Sequence, residues 1–166
     1  MKMTSAEANK MLRGLRDELS KIELRQEKEM SFLAAVEEDP ETVRPSYDYE
    51  AVQASFTEIE RKVRKLKHSI FRFNMETEVP GFDMTVDEML VYIPQLTARV
   101  NRLEHMAMML PKEREYHMNT SIIDYRYANF DIDRASKDYA ETRDLLARAQ
   151  MALDKVNNSV EFEAEI

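Results

Sequence analysis

The chain reads as a mainly α protein: an antiparallel long-helix bundle, or set of helical hairpins, with coiled-coil-like seams and a small β-ribbon between the third and fourth helices. Three observations predict this. Along four long segments apolar residues return at alternating gaps of four and three, the repeat of one helix face. Only two glycines and five prolines interrupt 166 residues, so little breaks a helix. One stretch, IIDYRYANF from Ile122 to Phe130, abandons that rhythm for β-branched and aromatic residues in rough alternation.

The first helix is predicted over 5–38. Thr4 stands three residues before Glu7, the capping-box spacing in which each side chain satisfies the other's free backbone N–H. Ala8, Leu12, Leu15, Leu19, Ile22, Leu33 and Val36 form its stripe, with polar Gln26 and Glu29 on the same line. Asp39-Pro40 should end it. The second helix, 47–73, has an unbroken stripe of Val52, Phe56, Ile59, Val63, Leu66, Ile70 and Phe73. A second capping box, Thr85 with Glu88, opens the third helix at 85–110, whose stripe is Met89, Ile93, Leu96, Val100, Leu103, Ala107 and Leu110. Pro94 lies off that stripe, where a kink would free the Leu90 carbonyl on the outer face. Asp131 caps a fourth helix, 131–157, with Ala135, Tyr139, Thr142, Leu146, Ala149, Leu153 and Val156 inward.

About two apolar positions in seven suit a helix that packs on other helices. Burial of a large aliphatic side chain contributes about 1.5–3 kcal/mol, ample once the helices meet and inadequate while they stay apart. A single helical domain over 1–166 is expected.

The ribbon is expected over about 115–130, with 115–119 as its first strand, Asn119 to Ser121 as the turn, and Ile123, Tyr125 and Tyr127 on one side of the second strand. Isolated hairpins are marginal in water and an unpaired edge invites another chain. The ribbon should therefore pack on helices or pair with a second subunit; a well-packed irregular loop is the bland alternative. Ile123, Tyr125, Arg126, Tyr127 and Phe130 are the candidate interaction residues, and a homo-oligomer is expected.

Composition excludes several chemistries. With no cysteine, thiolate metal sites, disulfides and cysteine nucleophiles are absent. Glycines at only 14 and 81 rule out phosphate loops, dinucleotide fingerprints and a GxSxG elbow. No segment approaches the roughly 18 apolar residues of a membrane span, and the amino terminus carries no signal-length apolar run. The expectation is a soluble, cytoplasmic protein. The net charge of −8 argues against nucleic acid. Residues 61–73 hold six Lys/Arg and no acid; most fall between stripe positions, where a solvated helix face pairs with acidic helices of the same protein or of a copy.

No metal, cofactor or catalytic residue is assigned. His68 and His105 lack the Glu-x-x-His spacing of helical di-iron sites, and His117 follows Glu113 across a predicted helix end. Asn129, Asp131 and Asp133 begin like a calcium loop, but Arg134 and Ala140 stand where it needs glycine and glutamate. In the methionine-rich helix end His105 to Met109, Met106 and Met109 flank the stripe and read as packing against the ribbon, methionine being an adaptable filler.

The pattern Ile70, Phe73-Asn74, Thr77, Gly81, Met84-Thr85-Val86, Met89-Leu90, then Ile123, Tyr125, Asp131-Ile132, Asn157 and Glu161 resembles the septicolysin-like family of small bacterial proteins. The chain departs from the family pattern at Val86 and Glu88. The family name implies a cytolysin, and no catalytic residues carry over.

The preferred functional expectation is a non-enzymatic oligomeric scaffold or interaction module, with any small-molecule ligand unknown. A membrane-active protein is one alternative. Another is an enzyme or metal protein with an intersubunit site built from His117, Asp124, Tyr125, Arg126 and Tyr127.

Overall fold

A computed structural model describes residues 1–115 and 123–166. Among these the chain is mainly α, with three two-stranded antiparallel sheets. It divides into two compact units, Met1–Glu76 with Asn157–Ile166, and Thr77–Val156.

In the first unit, β1 (Lys2–Thr4) leads into α1 (Ser5–Glu29), capped by the predicted Thr4–Glu7 box. A short α2 (Pro40–Val43) follows, then α3 (Tyr49–Glu76). α1 and α3 form an antiparallel hairpin: Leu12 meets Leu66 near one end, and the Gln53 side-chain amide donates to Gln26 Oε1 at 3.4 Å toward the other. That cross-helix pair accounts for one polar interruption in the α1 stripe, a half-buried amide being tolerated when hydrogen-bonded.

α1 ends nine residues before the predicted 38. The Met30 N–H closes it on the Gln26 carbonyl. Leu33 and Val36, expected on the stripe, are 96% and 104% exposed. The periodicity continues in sequence but has no surface to bury against, and an unpacked helical extension is unstable in water. Asp39-Pro40, read as a stop, is a start: Asp39 Oδ1 accepts from the Glu41 N–H at 3.1 Å, and Pro40 takes the first helical position, where no N–H is needed.

The strand β6 (Glu161–Glu163) pairs with β1, matching Met3 to Phe162. Neither strand was anticipated. Together they cover the hairpin: Met3, Ala8, Leu12, Leu66 and Ala164 form a buried cluster, and the Phe162 ring lies 4.7 Å from that of Phe73. Buried Ser69 is satisfied, donating to the Lys65 carbonyl and accepting from the Glu165 N–H at 3.0 Å.

In the second unit, β2 (Glu78–Val79) and β3 (Met84–Thr85) form a hairpin not foreseen. The Phe82 N–H donates to the Val79 carbonyl, and Gly81 takes φ +85°, the left-handed position that a Pro-Gly turn needs. The Thr85–Glu88 box then opens α4 (Val86–Ala107), which runs through Pro94. After the strands β4 (Lys112–Glu115) and β5 (Asp124–Tyr127), Asp131 caps α5 (Ile132–Ser159) by accepting from the Arg134 N–H at 3.0 Å. The Tyr139 hydroxyl donates to Glu104 at 3.1 Å, and Met89, Leu96, Ala149 and Leu153 are buried as their stripes require.

Candidate interaction surface

The ribbon exists, shifted toward the amino terminus on its first strand. β4 is 112–115 where 115–119 was expected, and pairs Lys112 with Tyr127, Glu113 with Arg126, Arg114 with Tyr125 and Glu115 with Asp124. The charged run KERE lacks the apolar alternation that marks a strand. Its partner supplies that instead. The predicted turn at 119–121 and His117 lie outside the described residues.

The register sorts the side chains, because neighbours in a strand point to opposite faces. One face carries Lys112, Arg114, Tyr125 and Tyr127; the other carries Glu113, Glu115, Asp124 and Arg126. On the first, Lys112 Nζ sits 4.0 Å from the centre of the Tyr125 ring and 5.4 Å from that of Tyr127, each worth about 0.5–1 kcal/mol at an exposed site. The two rings remain 46% and 60% exposed by residue. On the second, Arg126 meets Glu115 through two donors at 2.9 and 3.0 Å. Hydrogen bonding to that carboxylate, then its charge, raises the guanidinium pKa.

The ladder also fixes where backbone groups point. The Ala128 N–H donates to the Pro111 carbonyl at 3.2 Å. Hydrogen-bonded and non-bonded pairs alternate along an antiparallel ladder, so Arg126 and Asp124 turn their N–H and C=O toward β4. Tyr125 and Tyr127 turn theirs outward, to the side of β5 that pairs with no other strand among the described residues.

The structure thus brings Tyr125 and Tyr127 together with exposed Ile123 preceding them in the alternation, and sets Arg126 on the opposite face. Phe130 is elsewhere. Half-buried, it lines a separate hollow with Pro111, Ala128 and Asp131.

The basic run on α3 is split. Arg61 and Lys62 pair with Glu58 at 2.8 and 3.6 Å, and Lys65 reaches Glu165 at 3.9 Å. Hydrogen bonding to Arg61, first among the causes, lowers the Glu58 pKa to about 2. Arg64, Lys67, His68 and Arg72 share the outward face with exposed Phe71 and Met75. Met75 is the member of this pair that the sequence pattern does not mark, although it follows Phe71 and His68 at helical spacing.

At the methionine-rich end of α4, Met106 and Met109 are half-buried while Met108 stands out into solvent. Met108 is 73% exposed. With His105, Met109, Leu110, Glu113 and Arg126 it lines a cleft of about 290 Å³. Among the described residues no group of three His, Cys, Asp or Glu side chains could hold a metal ion, and no helix is long and apolar enough to cross a membrane.

No protein-family model matches the chain, and no curated protein matches it. Among solved structures it is similar to the crystal structure of a functionally unknown conserved protein from Corynebacterium diphtheriae. The two share 15% sequence identity with a TM-score of 0.61, covering 98% of this chain and 100% of the other. The likeness concerns the fold alone.

Proposed function

We propose that the protein is a non-enzymatic interaction module of the cytoplasm that assembles with a second copy of itself along the open edge of β5. The observation that carries this reading is the outward direction of the Tyr125 and Tyr127 backbone groups, beside rings that stay largely exposed. A two-fold pairing centred on Arg126 would set each Tyr125 opposite Tyr127 of the other copy, closing four hydrogen bonds and stacking the rings in pairs.

Charge selects this edge over that of β4. A two-fold pairing along β4 would place Lys112 opposite Arg114 and Glu113 opposite Glu113, like charges throughout, which is a common way of blunting an edge. Along β5 the one like-charged pair is Arg126 with its copy, and each guanidinium is already offset by its own Glu115.

Four hydrogen bonds at about 1 kcal/mol net each, with ring pairs adding a few tenths to 1 kcal/mol apiece, only approach the cost of association. Weak assembly is therefore expected. Sedimentation equilibrium at protein concentrations from roughly 10 to 500 μM should show the average mass rising toward twice the monomer value. A single mass across that range removes the proposal.

A second reading is favoured by exposed Phe71 and Met75 among the cations of α3: adsorption to an anionic lipid surface. The resemblance to the septicolysin-like family, whose name implies a cytolysin, points the same way. Co-sedimentation with phosphatidylserine vesicles at low salt should then occur and weaken on Phe71→Ser; absence of binding at low salt ends this reading.

A further inference from the structure

We infer that the cleft at the end of α4 is a site for a soft monovalent metal ion, Cu(I) in a reducing compartment, held by His105, Met108 and Met109. These residues stand at i, i+3 and i+4, the spacing that puts side chains on one face of a helical turn. Met108 caps α4, its N–H donating to the Glu104 carbonyl at 3.0 Å, and Met109 follows the helix end on a tighter turn, its N–H donating to the Met106 carbonyl at 3.2 Å. All three line the same cleft.

The donor set decides the metal. Two thioethers and an imidazole suit Cu(I), because soft, polarisable sulfur binds soft ions. Calcium and magnesium need several oxygen ligands, and among the described residues this wall offers one carboxylate, Glu113. Zinc is poorly served by a single imidazole and a single carboxylate. Glu113 instead supplies a negative charge facing the ion. The guanidinium of Arg126 on the same wall is engaged by Glu115, which offsets its charge.

Packing does not explain Met108, whereas Met109 is half-buried beside it. A core-filling methionine is covered, and Met108 is largely open to solvent at the cleft mouth. A flexible thioether there can turn onto an ion without disturbing the core. Binding requires no change of oxidation state, so Ag(I) serves as a redox-inert probe.

The test is titration of the full chain with silver nitrate in chloride-free buffer, followed by NMR of the methionine methyl groups. The Met108 and Met109 methyls and the His105 ring should shift together and saturate at a single ion per chain. The double variant Met108→Leu with Met109→Leu conserves volume, so the fold should be kept; affinity should fall at least about tenfold. Replacing exposed Met30 and Met151 by leucine should leave binding unchanged. Equal shifts at Met30, Met151 and Met108, or undiminished binding by the double variant, would overturn the assignment. So would no shift at all.

Discussion

Leu66→Ala is expected to lower the stability of the first unit by about 3–5 kcal/mol, the upper part of the range for leucine truncation in a close-packed site. Leu66 is fully buried. It lies in one cluster with Met3 and Ala164, which flank or belong to the terminal β-ladder, and with Ala8 and Leu12 of α1. Half-buried Val63, Ile70 and Phe162 pack around that cluster. The site can collapse little, because its walls come from two helices and a sheet that are themselves joined by hydrogen bonds. The matched change Leu33→Ala, at the same stripe periodicity, should alter stability by less than about 0.5 kcal/mol, as for an ordinary surface site. Urea denaturation followed by circular dichroism measures both. Similar losses from the two variants would mean that Leu33 is buried, and that the first helix extends as its sequence pattern suggests.

The contrast between those two leucines shows what could be read from sequence. Helix α3 was legible because every stripe position meets a neighbour, and the helix starts at Thr4, Thr85 and Asp131 because capping is local chemistry within four residues. Residues 30–38 were misread because periodicity records which face could be buried, without recording whether anything lies opposite. The strands β1 and β6 escaped notice for a different reason. Three residues are too few for alternation to be recognised, and Lys2 finds Glu163 at the far end of the chain. The Glu-Phe-Glu of β6 is a signal in retrospect, since only its middle residue turns inward to Phe73.

The candidate surface was legible in part. Alternation placed Tyr125 and Tyr127 on one face correctly, since side-chain direction follows residue parity alone. It could not place β4, whose Lys-Glu-Arg-Glu composition is that of a solvated loop. The strand is held by pairing and by Lys112 lying over both tyrosine rings. Nor could sequence reveal which backbone groups face outward, because that depends on register. The same applies to the cleft: filling was read at Met106 and Met109, which are half-buried, while the exposure of Met108 could not be read from spacing.

Register makes the assembly proposal sharply testable with proline. Tyr125→Pro deletes an N–H that points away from β4, and proline restricts the preceding Asp124 to the extended backbone it already has. The ladder bonds of Arg126 and Asp124 should survive, at the cost of one cation–π contact of about 0.5–1 kcal/mol. In a two-fold dimer the same deletion removes one hydrogen bond from each copy, about 2 kcal/mol together, so association should weaken roughly thirtyfold. Arg126→Pro deletes an N–H that points inward and also the pair with Glu115, so it should open the ribbon itself. Amide hydrogen exchange separates the cases. In the parent protein the Tyr125 and Tyr127 amides should exchange fast when dilute and slow as concentration rises, while the Arg126 amide stays protected throughout. Tyr125→Pro should abolish the concentration dependence at Tyr127 and keep protection at Arg126. Undiminished dimerisation by Tyr125→Pro would place the contact on another surface, because no pairing along β5 can use a donor that has been removed.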